Sequence, residues 1–302
     1  MVAVAPVPRL PAPRHAALSV TATGGPGLRI RVVVLPHGRR AVPGPWGRPT
    51  HRLAMPRRVA RALAAGSLPG YVEARDHTGA VVRSHTMLLP PTPGPGSVRV
   101  VRHGSRHRAQ VALVFDDGLD EGGVVRIVSA LRKANAGGSL CLNGINVQRW
   151  SPATVATLHD AVMDGVITMC SHGWGHRTNT HTGVGAARAD LAANASTDRK
   201  LGLWSIPFYR PPYGLYGPGI TRAAGSLGYR WLVMWDVDPS DYLKPGKAVL
   251  ARRVVRDARR GSIVVMHGIG STADAVPAMV RGLRRKGLRP VTLTTMFMPR
   301  SG

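Results

Sequence analysis

Two histidines spaced by four, His172 and His176, and two adjacent aspartates, Asp116 and Asp117, are the residues of this chain best placed to do chemistry. Two imidazoles and one carboxylate form a common ligand set for a catalytic divalent cation with open positions. Neighbouring carboxylates point in different directions, so one can bind a cation while the other faces the water beside it. The cation lowers that water's pKa, and the free carboxylate can take its proton during attack. His267 closes the apolar run Val264-Val265-Met266 and could protonate a leaving group. Asp241 or Asp238 could pair with it and raise its pKa. Arg210, between Tyr209 and Pro211-Pro212, could hold Asp116 by a charge-assisted hydrogen bond. The turn Pro212-Tyr213-Gly214 could aim a backbone N–H at a developing oxyanion.

Each feature has a plainer explanation. Asp-Asp-Gly also makes a solvated turn, and a histidine can simply cap a core strand. A lone HxxxH pair is weak: His103 and His107 share the spacing but sit in an Arg-rich run, without an acid or a preceding strand, and read as exposed and non-functional.

What separates the two pairs is the elements around them. Strands are expected over 110–115, 138–142, 166–170, 204–209, 230–235, 262–266 and 290–295. Helices are expected over 124–133, 152–163, 186–195, 218–227, 248–258 and 276–285. Regular alternation implies parallel strands with helical crossovers, and about seven such units favour a closed, distorted (β/α)7-8 barrel. Asp116-Asp117, His172, Arg210, the Asp236/Asp238/Asp241 group and His267 each follow one of these strands. In a parallel barrel all such ends open on one face, where active sites are built.

Composition sharpens the point. The 302 residues carry 41 Lys+Arg against 15 Asp+Glu, a formal charge of +26. In so acid-poor a chain, five aspartates crowded into two short segments call for a reason. The basic excess is either a solvated face shaped by coding bias or an attraction to a polyanion such as an anionic cell wall. No basic amphipathic helix with interleaved aromatics accompanies it, which disfavours nucleic-acid binding as the primary function. No apolar run of membrane-spanning length and no secretory signal is visible. Cys141 and Cys170 read as two small buried hydrophobes, with a bridge between them unsupported.

The remainder divides into parts. Residues 1–27, rich in Pro, Ala and Gly, are expected to be poorly ordered. Residues 28–89 read as a small α/β accessory module. It has strands at 29–35 and 41–42, a helix from Pro56 to Ala65, and a hairpin turning at Thr78-Gly79. Residues 90–108 form a Pro/Gly/Arg-rich linker, and residues 109–298 form the catalytic domain.

That last segment resembles the NodB-homology polysaccharide deacetylases, carbohydrate esterase family 4. Val114-Phe-Asp-Asp-Gly118, His172-Gly-Trp-Gly-His176, Arg210-Pro-Pro-Tyr213, Asp238-Pro-Ser-Asp241-Tyr242 and Val265-Met-His267 follow the order of the family's five motifs. The resemblance implies a metal-dependent hydrolase that removes acetyl groups from N-acetylated sugar polymers of peptidoglycan or chitin type. It implies Asp117, His172 and His176 as ligands of a divalent ion, typically zinc, with cobalt or another divalent ion as alternatives. It implies Asp116 as general base, Arg210 as its orienter, the Tyr213 N–H in the oxyanion site, and His267, tuned by Asp241, as general acid. It also implies an extracellular or wall-associated setting. An O-acetyl xylan-type esterase, or a catalytically weak polyanion or wall-binding protein, is the alternative. The sequence departs from the family pattern at Gly173 (usually Ser or Thr), Leu119 (often Pro), Tyr242 (usually Trp) and Thr168 (often Glu). None removes a ligand, the base or the acid, and substrate identity is what they bear on.

Overall fold

The structure, a computed structural model, describes residues 2–6, 17–22, 27–35, 41–48, 52–54, 68–83, 87–89, 96–178 and 183–297. The chain forms two compact units, Met1–Pro95 and Gly96–Gly302.

In the first unit, β1 (Val2–Pro6), β2 (Ala17–Ala22) and β5 (Arg52–Ala54) form an antiparallel sheet. A second sheet joins β3 (Arg29–Val34), β4 (Val42–Pro43), β6 (Leu68–Arg75), β7 (Val81–Arg83) and β8 (Met87–Leu89). The β6–β7 hairpin turns where expected, because the Asp76 carboxylate accepts from the N–H of Thr78 (2.9 Å) and of Ala80 (3.1 Å). One expectation changes. Residues 1–27 contain two paired strands rather than only unstructured chain, and among the described residues of this unit the elements are strands. The helix expected from Pro56 to Ala65 lies outside the described residues.

The second unit opens with β9 (Arg99–Val101), then alternates. Its elements are β10 (Gln110–Asp117), α1 (Glu121–Lys133), β11 (Gly138–Leu142), α2 (Gly144–Val147), α3 (Pro152–Met163), β12 (Ile167–Ser171), α4 (Gly183–Leu201), β13 (Phe208–Tyr209) and α5 (Pro218–Ser226). They continue with β14 (Trp231–Val233), α6 (Lys247–Asp257), β15 (Ile263–His267), α7 (Gly270–Arg285), β16 (Arg289–Val291) and α8 (Leu293–Phe297). The strands pair in the order β15-β10-β11-β12-β13-β14-β9, with β16 beside the start of β10, and every pairing is parallel. A further parallel bridge, Val237 to Val264, carries the chain beyond β14 back to β15 and curls the sheet into a distorted barrel. Alternate residues fill it: Ala112 and Val114 share one buried cluster with Cys141, Cys170, Phe208, Val233 and Ile263.

The helices form for readable reasons. Asp120 caps α1 through the Gly123 N–H (2.8 Å), and Val124, Ile127, Val128 and Leu131 bury one stripe of it. Ser151 caps α3, whose first residue is Pro152. The last predicted strand, 290–295, stops at Val291. There Thr292 Oγ1 accepts from the Thr295 N–H (3.1 Å) and turns the chain into α8.

Three other expectations are corrected. Residues 90–108 are not wholly a linker, because Arg99–Val101 pairs with β14 inside the barrel sheet and the unit boundary falls at Pro95. For the same reason a strand does precede His103. Cys141 and Cys170 are not separate hydrophobes: they lie level on adjacent strands, Cα to Cα 4.2 Å, and are joined as a disulfide.

Candidate active site and metal centre

Four strand ends meet at one end of the barrel. Strand β10 delivers Asp116 and Asp117, β12 delivers His172, β13 delivers Arg210, and β15 delivers His267. Register sets the level: Asp116 stands beside His267 on one flank and Cys141 on the other. Asp116 is buried, whereas Asp117, the last residue of the strand, is less buried and has φ 74°, a left-handed conformation that Asp tolerates better than most residues. The two carboxylates therefore diverge although they are neighbours in sequence.

Asp117, His172 and His176 bring their ligand atoms within 4.8 Å of one another. Asp117 Oδ1 lies 3.4 Å from His172 Nε2 and 3.3 Å from His176 Nε2. His172 Nδ1 is 2.8 Å from the Arg210 carbonyl. A carbonyl only accepts, so Nδ1 carries the hydrogen and Nε2 turns its lone pair toward Asp117. Asp117 Oδ1 is buried, and among the described residues it accepts no hydrogen bond. Such a buried oxygen facing two imidazole nitrogens asks for a cation. The residues present therefore fit a divalent ion with two nitrogen ligands and one oxygen ligand.

Arg210 is wholly buried and its guanidinium is spent on three acceptors. It donates to Asp116 Oδ1 (2.9 Å), to the Val233 carbonyl (3.0 Å) and to the Met234 carbonyl (3.3 Å). Burial pushes the Asp116 carboxyl up, while the charges of Arg210 and His172 pull the other way. The result is a fixed carboxylate with more appetite for a proton than an exposed one.

On the opposite flank, Asp241 is 1% exposed and accepts three hydrogen bonds. They come from His267 Nδ1 (2.8 Å), the His267 N–H (2.7 Å) and Thr272 Oγ1 (2.6 Å). Burial works against a charge on His267, but the bond and charge of Asp241 outweigh it and lift its pKa to about 9. At neutral pH the imidazole is a charged donor.

Tyr213 takes a left-handed φ of 57°, and its N–H makes no hydrogen bond among the described residues. Its exposed ring lies 4.7 Å from His176, while Tyr242 meets His267 edge-on at 6.0 Å.

Not every candidate joins the site. Asp238 does not pair with His267; its carboxylate accepts from the Ser240 N–H (2.8 Å) and shapes the turn. Asp236 is bound by Arg106 (2.7 Å), Ser262 Oγ (3.0 Å) and the Ile263 N–H (2.8 Å). Of the three acids in this segment, Asp241 alone reaches His267, while Asp236 and Asp238 hold the chain around them. His103 and His107 are exposed, and His103 Nδ1 bonds the neighbouring Gly104 carbonyl. Sequence reasoning passed over Asn143, Asp190 and Thr272. Asn143 follows a buried strand, as the chosen residues do. Asp190 shares the helical spacing 190/194/198 with Asn194 and Asp198, on a helix otherwise rich in alanine.

Residues 103–232 match the family model described as polysaccharide deacetylase. Among curated relatives, the peptidoglycan-N-acetylmuramic acid deacetylase PdaC of Bacillus subtilis is 27% identical over 187 residues, 62% of this chain and 38% of that protein. A peptidoglycan-N-acetylglucosamine deacetylase of Bacillus cereus is 27% identical over 196 residues, 62% of this chain and 87% of that protein. The chain thus spans well under half of one relative and most of the other. Among solved structures, a carbohydrate esterase family 4 pseudoenzyme from Bacillus anthracis aligns with TM-score 0.61 at 20% identity, over 76% of this chain and 84% of that one. That likeness shows the fold alone.

Proposed function

Residues 103–232 belong to the polysaccharide deacetylase family, and from that premise we propose that this chain is a metal-dependent deacetylase of N-acetylated sugar polymers, with peptidoglycan as its substrate. The observation that carries the proposal is the placement of Asp116 and His267 level on adjacent strands, beside Asp117, His172 and His176. A base and an acid beside a ligand triad suit hydrolysis of an amide, which needs one proton removed from water and one given to the leaving nitrogen.

Held by Asp117, His172 and His176, a divalent cation, zinc by family resemblance, would polarise the acetyl carbonyl and a water molecule. Asp116, oriented by Arg210, takes the attacking water's proton. The Tyr213 N–H donates to the carbonyl oxygen as charge develops there. His267, kept charged by Asp241, protonates the departing amine. Two named relatives are peptidoglycan deacetylases, and the Cys141–Cys170 disulfide suits an oxidising compartment, so we place the activity outside the cytoplasm.

Acetate release from purified peptidoglycan, chitin oligomers and acetylated xylan, with zinc or cobalt added to chelator-treated protein, tests this reading. We expect release from peptidoglycan with either metal and a loss of about 10²–10⁴-fold in Asp116→Asn, the usual weight of a general base. Activity that survives Asp116→Asn, or protein that binds no divalent ion and gains nothing from added metal, would overturn it. Preferential attack on acetylated xylan would reassign the substrate to an O-acetyl ester.

A further inference from the structure

The loop that separates His172 from His176 is Gly173-Trp174-Gly175, with no hydroxyl of its own to brace it. It is nonetheless bound on both sides. Its N–H groups are taken in turn: Gly173 by Ser171 Oγ (3.2 Å), Trp174 by Asp190 Oδ2 (3.1 Å) and Gly175 by Asp190 Oδ1 (3.1 Å). Its carbonyls, and that of His172, are taken by the segment after β11. Asn143 Nδ2 donates to the His172 carbonyl (2.7 Å) and the Gly173 carbonyl (3.2 Å), and the Ile145 N–H donates to the Trp174 carbonyl (3.0 Å).

We propose that Asp190, on α4, is a positioning residue that holds the spacing of His172 and His176 by accepting two successive loop N–H groups, and that residue 173 is glycine to make room for its carboxylate. The proposal rests on the deacetylase reading for the role of those histidines as ligands. Its steric half is explicit. A Cβ at Gly173 would stand 2.6 Å from Asp190 Oδ2, and the φ of +74° already disfavours any other residue. A side chain at 173 and a carboxylate arriving from 190 therefore compete for one place.

The energetic half follows from what Asp190 does and does not touch. Its two oxygens accept from two neighbouring amides, a charge-assisted arrangement stronger than neutral pairs. Among the described residues no basic side chain forms an ion pair with it. The other polar residues of its helical face are engaged elsewhere: Asn194 Nδ2 donates to Asp198 Oδ2 (3.2 Å), and Ser205 Oγ also bonds Asp198. Asp190 thus faces the loop as its acceptor, and removing it strands two amides in a glycine-rich segment.

The test uses the full chain with Asp190→Ala, Asp190→Asn, Gly173→Ala and the Gly173→Ala/Asp190→Ala pair. Zinc affinity is read by competition with a chromophoric chelator, and loop opening by amide hydrogen exchange over residues 172–176 in metal-free protein. Loss of a group that orients a metal ligand commonly weakens metal binding about 10–100-fold. We expect that loss in Asp190→Ala, with kcat falling and KM for the polymer held. Asp190→Asn, which keeps one acceptor oxygen, should fall between, and it serves if the alanine variant does not fold. Gly173→Ala should cost less affinity when Asp190 is already alanine than when it is present. Unchanged zinc affinity in Asp190→Ala, or unchanged exchange at 172–176, overturns the proposal. If the parent chain binds no zinc, the ligand reading fails instead, and the exchange measurement still decides whether Asp190 holds the loop.

Discussion

His267 gives the residue scale its sharpest pH signature. Its folded pKa, about 9, lies above the free-imidazole value of 6.5. A group raised in this way contributes stability that is fully present below pH 6.5 and is lost as pH climbs through about 9. The same proton is the one proposed for the leaving amine, so kcat/KM should fall as pH rises through about 9. Asp241→Asn removes the charge that raises the pKa, and the alkaline limb should move toward acid; a pH–rate profile of both proteins checks it. Arg210 makes the complementary case. Replacing it with Met leaves a buried carboxylate at Asp116 without its cation, a change that costs about 3–5 kcal/mol in buried pairs. Burial already raises the Asp116 pKa, so the native state holds that proton more tightly than the unfolded chain. Urea denaturation should therefore show the deficit shrinking as pH is lowered. The residues that meet at this site were readable from type and position after strands. Type and position alone left Asp241 and Asp238 open, because both lie in one irregular turn; the family resemblance pointed to Asp241, and the fold brings that carboxylate to the imidazole.

At the scale of elements, Asp120 links two helices. One of its oxygens accepts from the Gly123 N–H at the start of α1, and the other from the Gly270 N–H at the start of α7, both at 2.8 Å. These helices follow β10 and β15, the strands that carry Asp116 and His267. Loss of a single cap costs about 0.5–2 kcal/mol, so Asp120→Ala, which removes two, should fall at or above the top of that range in urea denaturation. An effect no larger than that of a surface alanine would show that α7 does not depend on this cap. The helix Pro152–Met163 was legible to its ends because Ser151 and Pro152 mark its start, whereas the helices Gly183–Leu201 and Gly270–Arg285 begin before the expected residues 186 and 276. Strand Arg99–Val101 was not legible, because three residues, one of them an arginine, carry no alternation to read; pairing with β14 makes them a strand. The end of the chain failed for a related reason. Val291 to Thr295 has β-branched composition, but the Thr292 hydroxyl caps a helical turn and local capping outweighs propensity.

For the whole molecule, the barrel and its opening were legible because alternation of strands and helices is a property of the entire domain and survives local errors. The disulfide was not, because connectivity depends on register between β11 and β12, which no spacing reveals. It closes a 29-residue separation, and a bridge of that span is worth about 2–4 kcal/mol; a Cys141→Ala/Cys170→Ala protein should lose that much in urea denaturation. The charge of +26 should make retention on an anionic polymer fall steeply between low and moderate salt, with or without metal, as cation-exchange chromatography can show.

That charge has a further consequence once the reaction is considered as a change in the polymer. In the proposed reaction each amide cleaved leaves an ammonium on the sugar, so a neutral stretch of substrate would become a cationic one under a chain that is itself strongly cationic. Like charges repel. The enzyme should drift away from the stretches it has processed and strike afresh where acetyl groups remain. Partial digests are then expected to show isolated free amines scattered along the chain, and concentrated salt should shift that pattern toward contiguous blocks.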